Sequence, residues 1–173
     1  MPEPAPIFQN LVPQKQGLVI GVADMAVSTD PEEILVTYAL GSCLGITLHD
    51  PGKRIGGLLH LMLPDSHLHN RTIVRPAMFL DTGLPLLLET MLDAGADRHA
   101  LRCKVFGGAQ LLSSDNFFRI GAQNVDACYK MTAHLGLRVQ VWEVSGSVNR
   151  TIRLINQSGE VRVRVPARPE FIR

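Results

Sequence analysis

Residues 42–63 restrict the fold of this chain more than any other stretch. Two runs, 42–49 and 54–63, alternate apolar with small or polar residues on either side of Asp50-Pro51-Gly52-Lys53. Alternation flanking a Pro-Gly turn specifies an antiparallel hairpin. A two- or four-residue loop sets residue 49 opposite 54, 48 opposite 55 and Cys43 opposite His60. The apolar pattern checks that register. Leu44, Ile46 and Leu48 share a face with Ile55, Leu59, Leu61 and Leu63. The other face carries Cys43, Gly45, Thr47 and His49 with Arg54, Gly56, Leu58 and His60. A one-residue slip would bring His60 among the leucines, so this register is the expected one provided that Gly56-Gly57 carries no bulge.

Directly opposed side chains on one face have Cβ atoms about 4.5–5.5 Å apart. A thiol and an imidazole at that spacing form a minimal nucleophile–base pair, in which the ring takes the proton and leaves a reactive thiolate. The blander reading is a buried cysteine beside a hydrogen-bonded core histidine. A third group normally fixes the ring by partnering its other nitrogen. Thr37, on the preceding strand, offers a hydroxyl, and no Asp or Glu presents itself as clearly. Small neighbours in Gly41-Ser42-Cys43-Leu44-Gly45 allow backbone N–H groups to approach the sulfur.

The remaining pattern predicts a layered domain. Residues 17–27 and 34–40 read as strands about a turn at Ser28-Thr29-Asp30-Pro31. Residues 76–94 have the apolar spacing of a helix stopped at Gly95, despite Gly83 and Pro85 in the first turns. A strand over 101–106 runs into Gly107-Gly108, and a second helix covers about 125–135, with a start as early as Ile120. Residues 138–144 form a strand, and 151–155 with 160–165 form a hairpin around Asn156-Gln157-Ser158-Gly159. Six or more strands with two inserted helices predict an α/β or α+β architecture. Residues 1–16, with four prolines, are expected to form a flexible arm, 17–166 the folded domain, and 167–173 a tail.

Composition excludes several classes. The longest uncharged stretch, 34–48, has 15 residues and includes Gly, Ser, Thr and Cys, too short and too polar for a membrane span. No signal peptide is expected, because Pro2, Glu3 and Pro4 stand where a basic and an apolar region should be. Three cysteines without a C-x-x-C pattern indicate neither a disulfide scaffold nor zinc, hence a reduced, cytoplasmic protein. Cys103 alternates with Leu101 and Val105, and Cys128 lies on the face of Val125 and Leu135, so both read as core. His67-Leu68-His69 reads as a solvated loop without further ligands, so no metal is expected. The arginines of 161–165 alternate with valines and read as a strand's wet face. No stacking platform or dinucleotide fingerprint points to nucleic acid or a nucleotide cofactor.

Thr37-x5-Cys43-x16-His60, set in Leu40-Gly41-Ser42-Cys43 and in Gly56-Gly57-Leu58-Leu59-His60-Leu61-Met62-Leu63-Pro64, resembles the CheD family of chemoreceptor glutamine deamidases. Lys104-Val105-Phe106-Gly107-Gly108-Ala109-Gln110 and Ile120-Gly121-x2-Asn124 are similar to further blocks of that family, and the resemblance spans about 17–165. It implies a layered α/β/β sandwich of mixed, largely antiparallel sheets with two main helices, like that of toxin-type cysteine deamidases. It implies an amidohydrolase that converts receptor glutamines to methylatable glutamates without metal or cofactor. Methylesterase activity accompanies some members, and some bind the CheC phosphatase. The implied catalytic residues are Cys43, His60 and Thr37. Backbone N–H groups around Ser42 and Leu44 would hold the oxyanion, and Gly107, Gly108, Gln110 and Asn124 would contact substrate. The chain departs from the family at Gln123, where Arg is usual. It departs again over Glu143-Val144-Ser145-Gly146-Ser147-Val148-Asn149-Arg150, which keeps Gly146 and Arg150 but lacks an Asp followed by a Gly-Gly pair. Those departures motivate an alternative: a weakly catalytic or non-catalytic module that docks on receptors or regulates a CheC-type phosphatase. A third option is a cysteine hydrolase acting on an ester or small amide.

Overall fold

The computed structural model describes residues 17–68, 75–110 and 119–173; the expected N-terminal arm and His69 lie outside them. In chain order the elements are β1 (Leu18–Val19), β2 (Asp24–Ser28), β3 (Ile34–Leu40), β4 (Leu44–Asp50), β5 (Ile55–Leu61), α1 (Leu80–Asp93), β6 (Arg102–Gly107), α2 (Ile120–His134), β7 (Val139–Val144), β8 (Arg150–Ile155), β9 (Val161–Arg164) and β10 (Phe171–Ile172). Short 3-10 turns, Ser66–Leu68 and Pro76–Met78, precede α1.

The strands form two five-stranded sheets, ordered β1-β3-β8-β9-β10 and β2-β5-β4-β6-β7. Pairing is antiparallel except between β1 and β3 and between β6 and β7. Every position of β4 and β5 is buried, because the second sheet is covered on both faces. Leu44, Ile46, Leu48, Leu59 and Leu61 meet Leu84, Leu87 and Met91 of α1 and Val125 and Cys128 of α2. On the opposite face Leu58 and Phe106 meet Leu40, Ile152, Leu154, Val161 and Val163 of the first sheet. Burying each such side chain contributes about 1.5–3 kcal/mol, so the α/β/β layering follows from the alternation in the hairpin. It agrees with the layered architecture that the sequence predicts.

The hairpin register differs from the expected one by two residues. Asp50 pairs with Ile55, and Gly45 faces His60 where Cys43 was expected. Asp50 extends the strand because its carboxylate organises the turn: Oδ1 accepts from the Gly52 and Lys53 N–H groups at 2.8 and 3.0 Å. Oδ2 accepts from Asp97 N–H at 2.7 Å. Arg54 joins the turn with a left-handed φ of 54°. A shift of two leaves every side chain on its predicted face, so the two apolar sets stand as read. Cys43 lies one residue before β4.

Two further expectations shift. The single strand expected over 17–27 divides between the sheets, with β1 in one and β2 in the other; Ala23, at φ 58°, marks the crossing. The expected C-terminal tail returns as the edge strand β10, with backbone bonds between Arg173 and Val161. No helix among the described residues is long and apolar enough to cross a membrane.

Candidate active site

His60 sits on β5 with its ring between the sheets, 1% exposed. Its Nδ1 lies 2.7 Å from the hydroxyl of Thr37 on β3, in the other sheet. That hydroxyl also donates to the Ile20 carbonyl at 2.7 Å. A hydroxyl has one proton and a carbonyl can only accept, so the Thr37 proton goes to Ile20. The ring must then donate, with Nδ1 carrying hydrogen and Nε2 left as a bare lone pair. Nε2 is buried without a partner among the described residues. Burial pushes the imidazole down to about 4, which keeps it neutral at ordinary pH.

Cys43 is half-buried. Burial pushes its thiol up, and its own backbone N–H, lying against the sulfur, partly offsets this. Gly45 lies opposite His60 and offers no side chain there, while Cys43, just before β4, packs against the cluster of Leu58 and Phe106 between the sheets. Both shifts run against a preformed thiolate–imidazolium pair. The Cys43 thiol and the His60 ring are both neutral at rest, and no hydrogen bond joins them: the open Nε2 has no partner among the described residues. Cys103 and Cys128 are fully buried, as expected of core residues.

The loop carrying Cys43 is anchored by its carbonyls. Gly41 C=O accepts from Ala109 N–H and Cys43 C=O from Gly108 N–H, each at 2.8 Å. Ser42 C=O accepts from the Asn124 side chain of α2 at 2.9 Å. Gly107, at φ 104°, passes so close that a Cβ there would strike the Cys43 carbonyl. Gly107 and Gly108 thus support the loop from behind through main chain. Gln110 is exposed, and its N–H donates to Gly146 C=O at 2.8 Å. Asn124 is fully buried.

Two features escaped sequence reasoning. Arg150, 6% exposed, pairs across from Leu40 and holds the neighbouring 145–149 loop by donating to the carbonyls of Ser145 and Val148 at 2.9 and 3.3 Å. Retention of Arg150 beside Gly146 was the available signal. Asp65, His67 and Asp81 also converge, with ligand atoms within 4.8 Å of one another. Asp65 stands two residues before His67 and was passed over, while Asp81 reaches them from α1, which spacing along the chain does not show. Asp81 is engaged structurally, accepting from Ser66 N–H at 3.0 Å and Ser66 hydroxyl at 2.6 Å. A groove of about 640 Å³ runs from this cluster along α2 past Gln123, Lys130 and His134.

A profile of the family described as CheD chemotactic sensory transduction matches residues 62–165. The chain is 40% identical over 153 residues to a probable chemoreceptor glutamine deamidase CheD 1 of Syntrophus aciditrophicus, covering 88% of this chain and 96% of that one. It is 41% identical over 148 residues to a probable chemoreceptor glutamine deamidase CheD of Pyrococcus abyssi, covering 84% and 89%. It is 38% identical over 148 residues to the chemoreceptor glutamine deamidase CheD of Halalkalibacterium halodurans, covering 84% and 91%.

Proposed function

The chain belongs to the CheD family, and from that premise we propose that it hydrolyses glutamine side-chain amides on chemoreceptors, with Cys43 as nucleophile and His60 as base. The observation that carries the chemistry is the Thr37–His60 hydrogen bond, which leaves Nε2 as the open acceptor. Nε2 takes the thiol proton as the sulfur attacks the carboxamide carbon. Backbone N–H groups between Ser42 and Leu44 stabilise the oxyanion, where fixed donors contribute most. The imidazolium returns the proton to the departing nitrogen, and ammonia leaves a thioester. Water then gives a proton to Nε2 and attacks the thioester, releasing glutamate and restoring the thiol. Thr37 orients the ring throughout. The chain's own residues supply every step, so the reading needs neither metal nor cofactor. The cytoplasm is the compartment we assign, in keeping with three free cysteines.

Incubation with a receptor cytoplasmic fragment and mass spectrometry tests this. One-dalton glutamine-to-glutamate shifts are expected with wild type and lost in Cys43→Ala and His60→Ala. Intact amides with folded wild-type protein overturn it. The burial that keeps both groups neutral favours a second reading, a docking module acting on receptors or on a CheC-type phosphatase. Receptor capture without any mass shift supports that one.

A further inference from the structure

Pairing of β4 with β5 ends at Leu44 and Leu61, so the segment carrying Cys43 leaves the ladder just before the nucleophile. Asn124 fills the place of the next rung. Its Nδ2 donates to Ser42 C=O and to Met62 C=O, each at 2.9 Å, joining the loop of Cys43 to the chain two residues past His60. Two carbonyl partners leave no choice of amide orientation, because only the nitrogen can donate. The side chain is 0% exposed, which gives it a scaffold role in place of the substrate contact that the sequence predicts.

In a trans peptide the C=O and N–H point in opposite directions. Anchoring the carbonyls of Gly41, Ser42 and Cys43 therefore turns the N–H groups of Ser42, Cys43 and Leu44 away from those anchors. The Cys43 carbonyl bonds to Gly108 N–H, which makes Leu44 and Gly107 a non-hydrogen-bonded pair. Leu44 N–H is accordingly directed to the β5 side. Cys43 N–H shares its peptide with the Ser42 carbonyl that Asn124 holds, and it lies on the side of the sulfur.

We propose that Asn124 is a positioning residue that, by gripping the Ser42 carbonyl, aims the Cys43 N–H at the oxygen of the tetrahedral intermediate. The inference rests on the deamidase reading and narrows the oxyanion donors to one principal amide.

The test uses the full chain with a receptor cytoplasmic fragment. Removing an oxyanion donor costs about 100- to 1,000-fold in kcat, and misaiming one costs less, so Asn124→Ala should lose roughly 10- to 100-fold in kcat with KM little changed. Alkylation of Cys43 by iodoacetamide passes through no oxyanion, and at a pH high enough to ionise the thiol fully, where the N–H against the sulfur no longer sets the thiolate fraction, it should stay within about threefold of wild type. An unchanged kcat, or kcat and alkylation falling together, overturns the inference. Should the alanine variant not fold, Asn124→Asp serves. Its carboxylate can donate to neither carbonyl, whereas its protonated form has one O–H and can hold one of them, so its rate relative to wild type should rise on acidification. A flat ratio overturns the proposal. A wild type that releases no ammonia overturns the deamidase reading instead. The positioning claim then rests on the Cys43 amide ¹H–¹⁵N resonance, which must move in Asn124→Ala and refutes the claim if it does not.

Discussion

One proton on Thr37 decides the protonation pattern of the site. Because it goes to Ile20, His60 must donate from Nδ1 and keep Nε2 open. Thr37→Val removes the acceptor and frees the ring to turn or to change tautomer. We expect kcat to fall about 100-fold, in the range of general-base loss, with Thr37→Ser retaining most activity in the same ammonia-release assay. His60 also links stability to acid. Its folded value near 4 lies below the ordinary 6.5, so the unfolded chain binds the proton more readily between those limits. Stability is full above pH 6.5 and declines as pH falls toward 4, by up to about 3 kcal/mol. Urea unfolding at several pH values should show this slope, and His60→Gln should reduce it, leaving the part that belongs to His49, which burial also pushes down. The contact between Thr37 and His60 was legible because a hydroxyl and an imidazole advertise their hydrogen bonding in residue type. Asn124's grip on Ser42 and Met62 was not, since its partners are carbonyls that every residue possesses.

Among the elements, the hairpin shows what alternation can and cannot specify. It set the two faces correctly, since a period of two fixes parity. It could not fix the loop length, which depends on the Asp50 carboxylate bonding to Gly52, Lys53 and Asp97. The last of these partners lies far along the chain. The division of 17–27 was hidden for a related reason: a left-handed alanine at position 23 has no mark in composition. The 145–146 turn offers an element-scale prediction. Ser145 and Gly146 have φ 67° and 81° in succession, and a side chain at such a φ costs about 1–2 kcal/mol. Glycine at that position gives back part of this through its flexible unfolded chain. Ser145→Gly should therefore raise stability by about 0.5–1 kcal/mol, read as a higher urea midpoint at constant m.

At the scale of the whole molecule, burial separates three chemically identical thiols. Cys103 and Cys128 are sealed between sheet and helices and pushed up by burial, Cys128 to about 12. A maleimide should label Cys43 alone in the native protein and all three cysteines after denaturation. Native labelling of Cys103 or Cys128 would contradict the packing. Layering was readable from the hairpin and two helical periods, while the partition of strands between sheets was not, because sheet membership is a property of distant partners. The bond between Thr37 on β3 and His60 on β5 spans the seam where the sheets meet. Turnover is consequently a gauge of that seam: along a denaturation series it should vanish when the sheets part, even where helical signal persists. An inhibitor that wedges the seam open would silence the protein without touching its sulfur.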